Sequence, residues 1–360
     1  MKRLAFVRSP VLESGDAASV SVVIPCYNYA TFLPEALRSA LSQEGVRVEV
    51  IVVDDASTDD SAEVAEKFAA EDPRVRVIRL EQNGGQVAAV NLALSKATGE
   101  FVVRLDADDL LTPGSLARST ALMRAFPSVG LVYGYPLHFE GAAPVLADAG
   151  PLKSWSVWSG ADWAADRCQK GYNCITTPEV VLRASVLSKV GDVDPRLRIA
   201  EDMHWWLRFA AQSDIGRVDG PTQALHRDHG ASMTATVDKL RDLNARRSLF
   251  TYYFEGPGAA LPSAAALDRS WRRALAAEAM DEALRAYDRG RTSTANVAGF
   301  LAFAEEVWPD AATRPRRAAL AVRQRAGARL APVLPTALTS IVRRRVAHEI
   351  RYRRWARYGI

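Results

Sequence analysis

The sequence predicts an α/β protein, a mostly parallel β-sheet flanked by helices and continued by a mainly helical C-terminal extension. Two observations carry this. Short Val- and Ile-rich runs recur between residues 19 and 134, separated by stretches of helical length, the pattern of a sheet covered on both faces. Beyond about residue 235 the chain turns Ala/Arg/Leu-rich, which favours helix.

The elements follow in order. Residues 1–18 show no periodicity and read as an irregular lead-in. SVSVVI (19–24) is a strand, with a helix from about 31 to 43. EVIVVD (49–54) is the next, with a helix through about 70. VRVIRL (75–80) precedes a helix over about 85–97, and FVVRLD (101–106) is a fourth strand. A helix opened by Pro113 leads to SVGLVYG (128–134). Residues 135–170 are less periodic and richer in Gly, Ala, Trp and Pro, so a long loop with one short helix over a substrate cleft is expected. VVLRASVLSKVG (180–191) is a strand running into a helix, AEDMHWWLRFAAQ (200–212) a helix with an acidic first turn, and IGRVDG (215–220) a short strand. Helices then run on, broken near 256–263 and at Pro332 and Pro335. Three parts result: the lead-in 1–18, a domain over 19–235 and a helical, arginine-rich region over 236–360.

A chain of 360 residues, 48% hydrophobic and 24% charged, can bury a full core. Cys26, Cys168 and Cys174 form neither a disulfide framework nor a four-cysteine metal site, and reduced thiols of a cytoplasmic protein fit best. The lead-in has no stretch of signal-peptide length, and no segment reads as membrane-spanning. The net charge of +4 hides an asymmetry: residues 311–360 hold 13 Arg, no Lys and one acid, Glu349, while the rest is net −8. A mildly acidic body without zinc-finger or ribonucleoprotein motifs excludes a nucleic-acid partner. In the tail, Ile341, Val342, Val346, Ile350, Trp355 and Tyr358 alternate with arginines. Two readings stand: a helix lying on an anionic membrane, or a basic helix packed on the body or on a partner.

The acidic turn in GEFVVRLDADDLLTPG (99–114) is the most informative segment. Three carboxylates at the end of a buried strand cost stability through desolvation and repulsion. A hydrated turn is one reading; a hard divalent cation shared with phosphate oxygens is the other. If the chain stays extended, Asp106 and Asp108 face one way and Asp109 the other, where it caps the following turn. In IVVDDASTDDS (51–61), Ser57 and Thr58 are candidate N-caps, with Asp59 and Asp60 in the first turn. Asp54 and Asp55 exceed what capping needs, and such a carboxylate can accept from a base N–H. In IPCYNYATFL (24–33), Pro25 and Asn28 shape a turn, and Tyr27 either stacks on a base or covers the sheet edge. Gly84 and Gly85 permit close backbone approach at a helix start, where free N–H groups favour phosphate. Asp202, at a helix N-terminus that favours its ionised form, suits a general base, with Trp205 or Trp206 as an acceptor wall; a plain cap with two core tryptophans is the alternative. In ALHRDHGASMT (224–234), His226 or His229 can complete a metal site or contact diphosphate, and Arg227 can pair with phosphate. No GxGxxG fingerprint or P-loop occurs where dinucleotide or P-loop folds require one.

In this order VVIPCYN, VVDDASTD, NGGQVAAVNLAL, GEFVVRLDADDLLTPG, TPEVVLRASVLSKVGDVDP, EDMHWWLRFA and HRDHGASMT resemble family 2 of the nucleotide-sugar glycosyltransferases, over roughly residues 20–234. The resemblance implies the Rossmann-like GT-A fold and an enzyme of hexosyltransferase type. It would transfer a sugar, with inversion, from a UDP-, GDP- or dTDP-linked donor to a hydroxyl of a glycan or lipid-linked acceptor. By the same likeness Pro25, Tyr27 and Asp55 surround the base, with Asp54 nearby, while Gly85 and Arg227 stay phosphate contacts on their residue chemistry alone. Asp106 and Asp108 take the DxD positions, Asp108 being the closer ligand of Mn²⁺ or Mg²⁺. His229 joins the metal or diphosphate, and Asp202 is the base. The resemblance also implies a cytoplasmic protein with peripheral contact to the membrane's cytoplasmic face. The alternatives are an inactive nucleotide- or glycan-binding relative, and a sugar-1-phosphate nucleotidyltransferase. PCYNYATF in place of a glycine-rich basic loop disfavours the second, and retention of Asp108 and Asp202 disfavours the first.

Overall fold

The computed structural model describes residues 1–12, 16–144, 149–230, 237–261, 263–293, 295–309 and 314–359. Contacts divide the chain into a unit formed by residues 1–164, 173–236 and 359, and a second formed by 165–172, 237–358 and 360.

The first unit is built on one ten-stranded sheet. Its parallel block comprises β2 (Ala18–Cys26), β3 (Val46–Asp54), β4 (Val75–Arg79) and β5 (Phe101–Arg104) in the spatial order β5-β2-β3-β4. Val20, Val22, Val23, Ile24, Val50, Ile51, Val52 and Val53 are all buried. Alternate side chains point to opposite faces, so helices must cover both. These are α1 (Leu33–Leu41), α2 (Ser61–Glu71) and α3 (Gln86–Leu94). After β5 the chain makes β6 (Leu110–Leu111), α4 (Ser115–Ala125) and β7 (Val129–Phe139). The GT-A-type layering expected from sequence is thus present, with helices on a Rossmann-like sheet.

The other half of the sheet departs from the sequence expectation. The lead-in contains β1 (Ala5–Arg8), antiparallel to β8 (Ser154–Trp158). Residues 135–170 do not form a long loop. β7 runs on to Phe139, and β8, followed by α5 (Gly160–Lys170), lies inside the sheet beside β10 (Asp214–Arg227). SWSVW is buried throughout, with Trp155 and Val157 on one face and, on the other, Ser154 and Ser156 bonded to buried Asp219, so its serines pass for loop residues in the sequence. β10 is a 14-residue strand where six were expected, because Gly220 (φ +114) and Pro221 interrupt its apolar pattern at register shifts against β7. β9 (Val181–Arg183), α6 (Ala184–Val190) and α7 (Glu201–Ala210) complete the unit.

The second unit is helical: α8 (Lys239–Glu255), α9 (Ala264–Asp288), α10 (Val297–Val307), α11 (Arg314–Leu330, broken at Gly327) and α12 (Pro335–Tyr358). α8, α10 and α11 all pack against α9, with Phe250 stacked on Trp271 at 5.2 Å between ring centres. Buried Arg246 bridges Glu278 and Asp242, while buried Asp288 pairs with Arg323 (2.6 Å). Among the described residues no helix is long and apolar enough to cross a membrane.

Candidate active site

The carboxyl ends of β2, β3 and β5 meet at one edge, where open α/β sheets place their ligands. The loop after β2 and the loop after β3 are stitched together. Asn28, in a left-handed conformation (φ 58), accepts from the Thr58 amide (2.8 Å), and its own amide donates to Ser57 Oγ (3.0 Å). The Ala30 amide donates to Asp59 Oδ2 (3.1 Å). Ser57, Thr58 and Asp59 therefore tie loops together, and Asp60 takes the N-cap position of α2 without a side-chain bond. Pro25 lies at the end of β2, while Tyr27 is the exposed aromatic of this loop at 43%.

Asp54 and Asp55 are both buried. Asp55 accepts from the amides of Gly84 (2.7 Å) and Gly85 (2.8 Å), and its own amide donates to Cys26 O (2.8 Å). The Gly85 amide, expected to face phosphate, is therefore already engaged. What glycine supplies here is φ +86, a conformation that other residues rarely adopt. Asp54 Oδ2 accepts from Ser57 N (3.2 Å), and Oδ1 is buried without a partner.

The acidic turn is not extended. The Asp109 amide donates to Asp106 O (3.0 Å), closing a turn, so the three side chains diverge. Asp106 lies against Arg104, with Nε–Oδ1 at 3.1 Å, and receives Gln86 Nε2 at 3.4 Å. Asp108 Oδ2 is 2.8 Å from His229 Nε2; burial, then the neighbouring Asp106, push its pKa up. Asp109 does not cap the next turn. It accepts from the Arg227 amide (2.9 Å) and contacts His226 Nδ1 (3.0 Å), pinning β10 to the acidic turn. Burial raises the Asp109 carboxyl to about 6, the His226 contact opposing that rise.

Arg227 does not present its guanidinium to a ligand. It is 3% exposed, donates from Nε to Asp108 O (3.1 Å), and also binds Gly141 O and Glu35. Phe32 and Phe139 sandwich it at 4.7 and 4.6 Å. Its sequence context, HRDH, looked like a phosphate clamp, but an Arg at a strand end is as readily taken up by neighbouring carbonyls.

Asp202 lies in the first turn of α7, after Ala200 in a left-handed conformation. Asn173 Nδ2 donates to its Oδ2 (2.7 Å). Burial, then Glu201 next to it, push its pKa well above the carboxylate range, overriding the helix N-terminus that was expected to favour ionisation. Trp205 and Trp206 are both fully buried and stacked at 5.2 Å, so neither forms an acceptor wall.

Sequence reading missed Arg104, Asn173, Tyr29 and Phe32. Arg104, 5% exposed, joins Asp106 to Glu201 (Nη1–Oε1, 3.3 Å). Burial alone would lower its pKa, but Asp106 and Glu201 more than offset that and keep it charged. A lone cation inside the apolar run FVVRL was the available signal. Tyr29 and Phe32 pack on His229 at 6.0 and 5.3 Å. The site therefore assembles Asp108 with His229, and Asp106 with Glu201 through Arg104. Ser232 and Met233, the end of the late His motif, lie outside the described residues.

Asp108 and His229, 2.8 Å apart, are donors that suit Mn²⁺, whereas Asp106 is turned to Arg104; the resistance of Asp108 to ionisation is what a bound cation would relieve. Among the described residues, three donors with every ligand atom within 4.8 Å occur elsewhere, at His138, His226 and Asp228.

Residues 21–146 match the family model described as glycosyl transferase family 2. The glycosyltransferase GlyG of Streptococcus pneumoniae is 41% identical over 92 residues, covering 26% of this chain and 31% of that protein. The chain spans about half or less of the length of the curated relatives it matches. The crystal structure of S. aureus TarS 1–349 with UDP superposes with a TM-score of 0.57 at 18% identity, covering 86% of this chain and 89% of that one. The Pyrobaculum calidifontis mannosyltransferase PcManGT, solved with GDP-Man and Mn²⁺, gives 0.50 at 21% identity, covering 82% and 88%. The matched segment holds most of β2, all of β3 and β5, and the acidic turn, so residues 21–146 of this chain match glycosyl transferase family 2, on a fold of the GT-A type.

Proposed function

We propose that the chain transfers a sugar from a nucleoside-diphosphate sugar to a hydroxyl of a glycan or lipid-linked saccharide, inverting the anomeric carbon. The observation that carries this reading is the base candidate Asp202 beside the acidic turn, with Arg104 charged between Asp106 and Glu201. Asp55, fixed by two amides, retains lone pairs for the N–H edge of a base, with Asp54 behind it and Pro25 and Tyr27 framing the ring. Asp202 takes the acceptor hydroxyl proton at its carboxylate, oriented by Asn173. Its raised pKa brings it toward the working pH that makes a base efficient. The oxygen so activated attacks the anomeric carbon opposite the departing diphosphate, and no enzyme nucleophile is needed. Mn²⁺ or Mg²⁺ held by Asp106, Asp108 and His229 would offset charge on that leaving group. The metal in the PcManGT structure and the nucleotide in that of TarS support this reading.

The same reading extends to the partner surface. α12 exposes Leu338 (56%), Val342 (63%), Val346 (52%) and Ile350 (54%) at a spacing of four, one stripe of a helix, among Arg343, Arg345, Arg351, Arg353 and Arg354. A stripe of this kind, flanked by cations, suits an anionic lipid surface carrying the acceptor.

Isothermal titration of UDP-, GDP- and dTDP-sugars, with and without Mn²⁺, tests the donor half on wild type and Asp108→Ala. One donor should bind with metal and lose its metal dependence in the variant. Absence of binding by every nucleotide sugar refutes the proposal.

A further inference from the structure

We infer a second, transition-metal site at His138, His226 and Asp228, separate from the acidic-turn donors and independent of the transfer reading. Sheet register builds it. β7 and β10 run parallel with His138 paired to His226, so both side chains lie on one face of adjacent strands. Asp228 follows His226 by two residues, just past the end of β10, and its amide donates to Phe139 O (2.8 Å), which carries it alongside β7.

The donor atoms are close to the spacing that tetrahedral coordination needs. Ligands ~2.0–2.1 Å from Zn²⁺ stand roughly 3.3 Å from one another. Here Asp228 Oδ2 is 3.2 Å from His138 Nδ1, and Asp228 Oδ1 is 3.8 Å from His226 Nε2. The imidazoles meet edge to face with ring centres 4.8 Å apart. Three ligands leave a fourth position to solvent, which reaches the site because His138 and Asp228 are 43% and 49% exposed.

The outer shell is also in place. The second nitrogen of His226, Nδ1, faces Asp109 Oδ2 at 3.0 Å, the carboxylate–histidine–metal relay that fixes a ligating imidazole with Nε2 outward. Two imidazoles and one carboxylate select Zn²⁺ or a neighbouring first-row ion over Mg²⁺, which takes oxygen ligands. Such an ion would clamp the ends of β7 and β10 immediately before His229, the residue that reaches Asp108.

Zinc titration of the chelator-stripped full-length chain against a chromophoric competitor tests this, with circular dichroism confirming that each variant folds. In Asp108→Ala, which removes the neighbouring acidic-turn ligand, one Zn²⁺ should still bind at micromolar concentration or below. Adding His138→Ala or Asp228→Ala to that background should weaken it at least ~100-fold, and Asp109→Asn by ~10–100-fold. Co²⁺ in the same site should give the visible bands of a four-coordinate N/O complex, lost with His138→Ala. The inference fails if wild type takes up no zinc below 100-micromolar concentrations. It fails equally if Asp108→Ala abolishes zinc binding while His138→Ala leaves it unchanged.

Discussion

Replacing Arg227 by Met separates two roles for this residue, a phosphate ligand or a structural brace. The side chain is 3% exposed and donates to Asp108 O at 3.1 Å, so Arg227→Met strands a buried carbonyl. Hydrogen bonds from a charged donor contribute about 1.5–3 kcal/mol. Contact with Phe32 and Phe139 at 4.7 and 4.6 Å adds about 1 kcal/mol. The pairing with Glu35, whose side chain is 44% exposed, adds little. Methionine restores part of the packing, leaving a net loss of about 3 kcal/mol for the first unit. In a body of that size this lowers the midpoint by roughly 10 °C. Urea unfolding followed by tryptophan fluorescence reads the loss, and nucleotide titration at low temperature, where the variant stays folded, reads affinity. Arg227→Lys should fall between, since an ammonium keeps the charge and loses the planar fork. Unchanged stability with a tenfold or greater loss of nucleoside-diphosphate affinity would refute the brace and restore the phosphate role.

Asp202→Asn should retain donor binding and lose transfer by about 10³-fold, read as acceptor-dependent release of nucleoside diphosphate; full turnover removes Asp202 as the base. Gly85→Ala forces a side chain into φ +86 beside the Asp55 contacts and should cost about 1–2 kcal/mol in denaturant unfolding, with weaker nucleotide binding. In the helical unit, burial would raise Glu278, but Arg246 and Lys239 more than offset this and hold it at about 2. Because that lies below its ordinary value of 4.5, the stabilisation is present above about pH 4.5 and is lost as pH falls toward 2. With Glu278 30% exposed, Glu278→Gln should cost about 2 kcal/mol at pH 7 and flatten the acid limb of the stability curve. Val342→Asp with Val346→Asp should abolish sedimentation with anionic vesicles; unchanged sedimentation removes α12 as the contact.

The parallel block was legible because its strands are continuous Val/Ile runs and its site residues sit at their carboxyl ends, where residue type and position agree. The second half of the sheet was not, because β8 is a five-residue strand with buried serines on one face and β10 is interrupted by Gly220 and Pro221. Residue types around the site were legible, but their pairings were not. Gly85 and Arg227 have the chemistry of phosphate ligands, and both are consumed by protein partners, Asp55 for one and Asp108 O for the other. A period-two argument placed Asp106 and Asp108 on one side of an extended chain, and the single Asp109-to-Asp106 turn bond redirected all three carboxylates.

Arg104 explains how so many acids coexist at one edge. Asp106 follows β5 while Glu201 and Asp202 open α7, and burial, then Glu201, push the Asp202 pKa up. A charged guanidinium with only 5% exposure is forked between Asp106 and Glu201, while Asp202 stays hard to deprotonate. The division matters chemically: one carboxylate must remain anionic toward a cation, and another must exchange a proton near neutral pH. Arg104→Met should therefore do more than destabilise the first unit by about 3 kcal/mol, the cost of an uncompensated buried charge. By removing the cation that lowers Asp202, it should move the acid limb of the transfer rate to higher pH, whereas Arg104→Lys should leave that limb nearer to wild type. A pH–rate profile unchanged in Arg104→Met would show that Asp202 does not sense Arg104, and that the two acids are set independently.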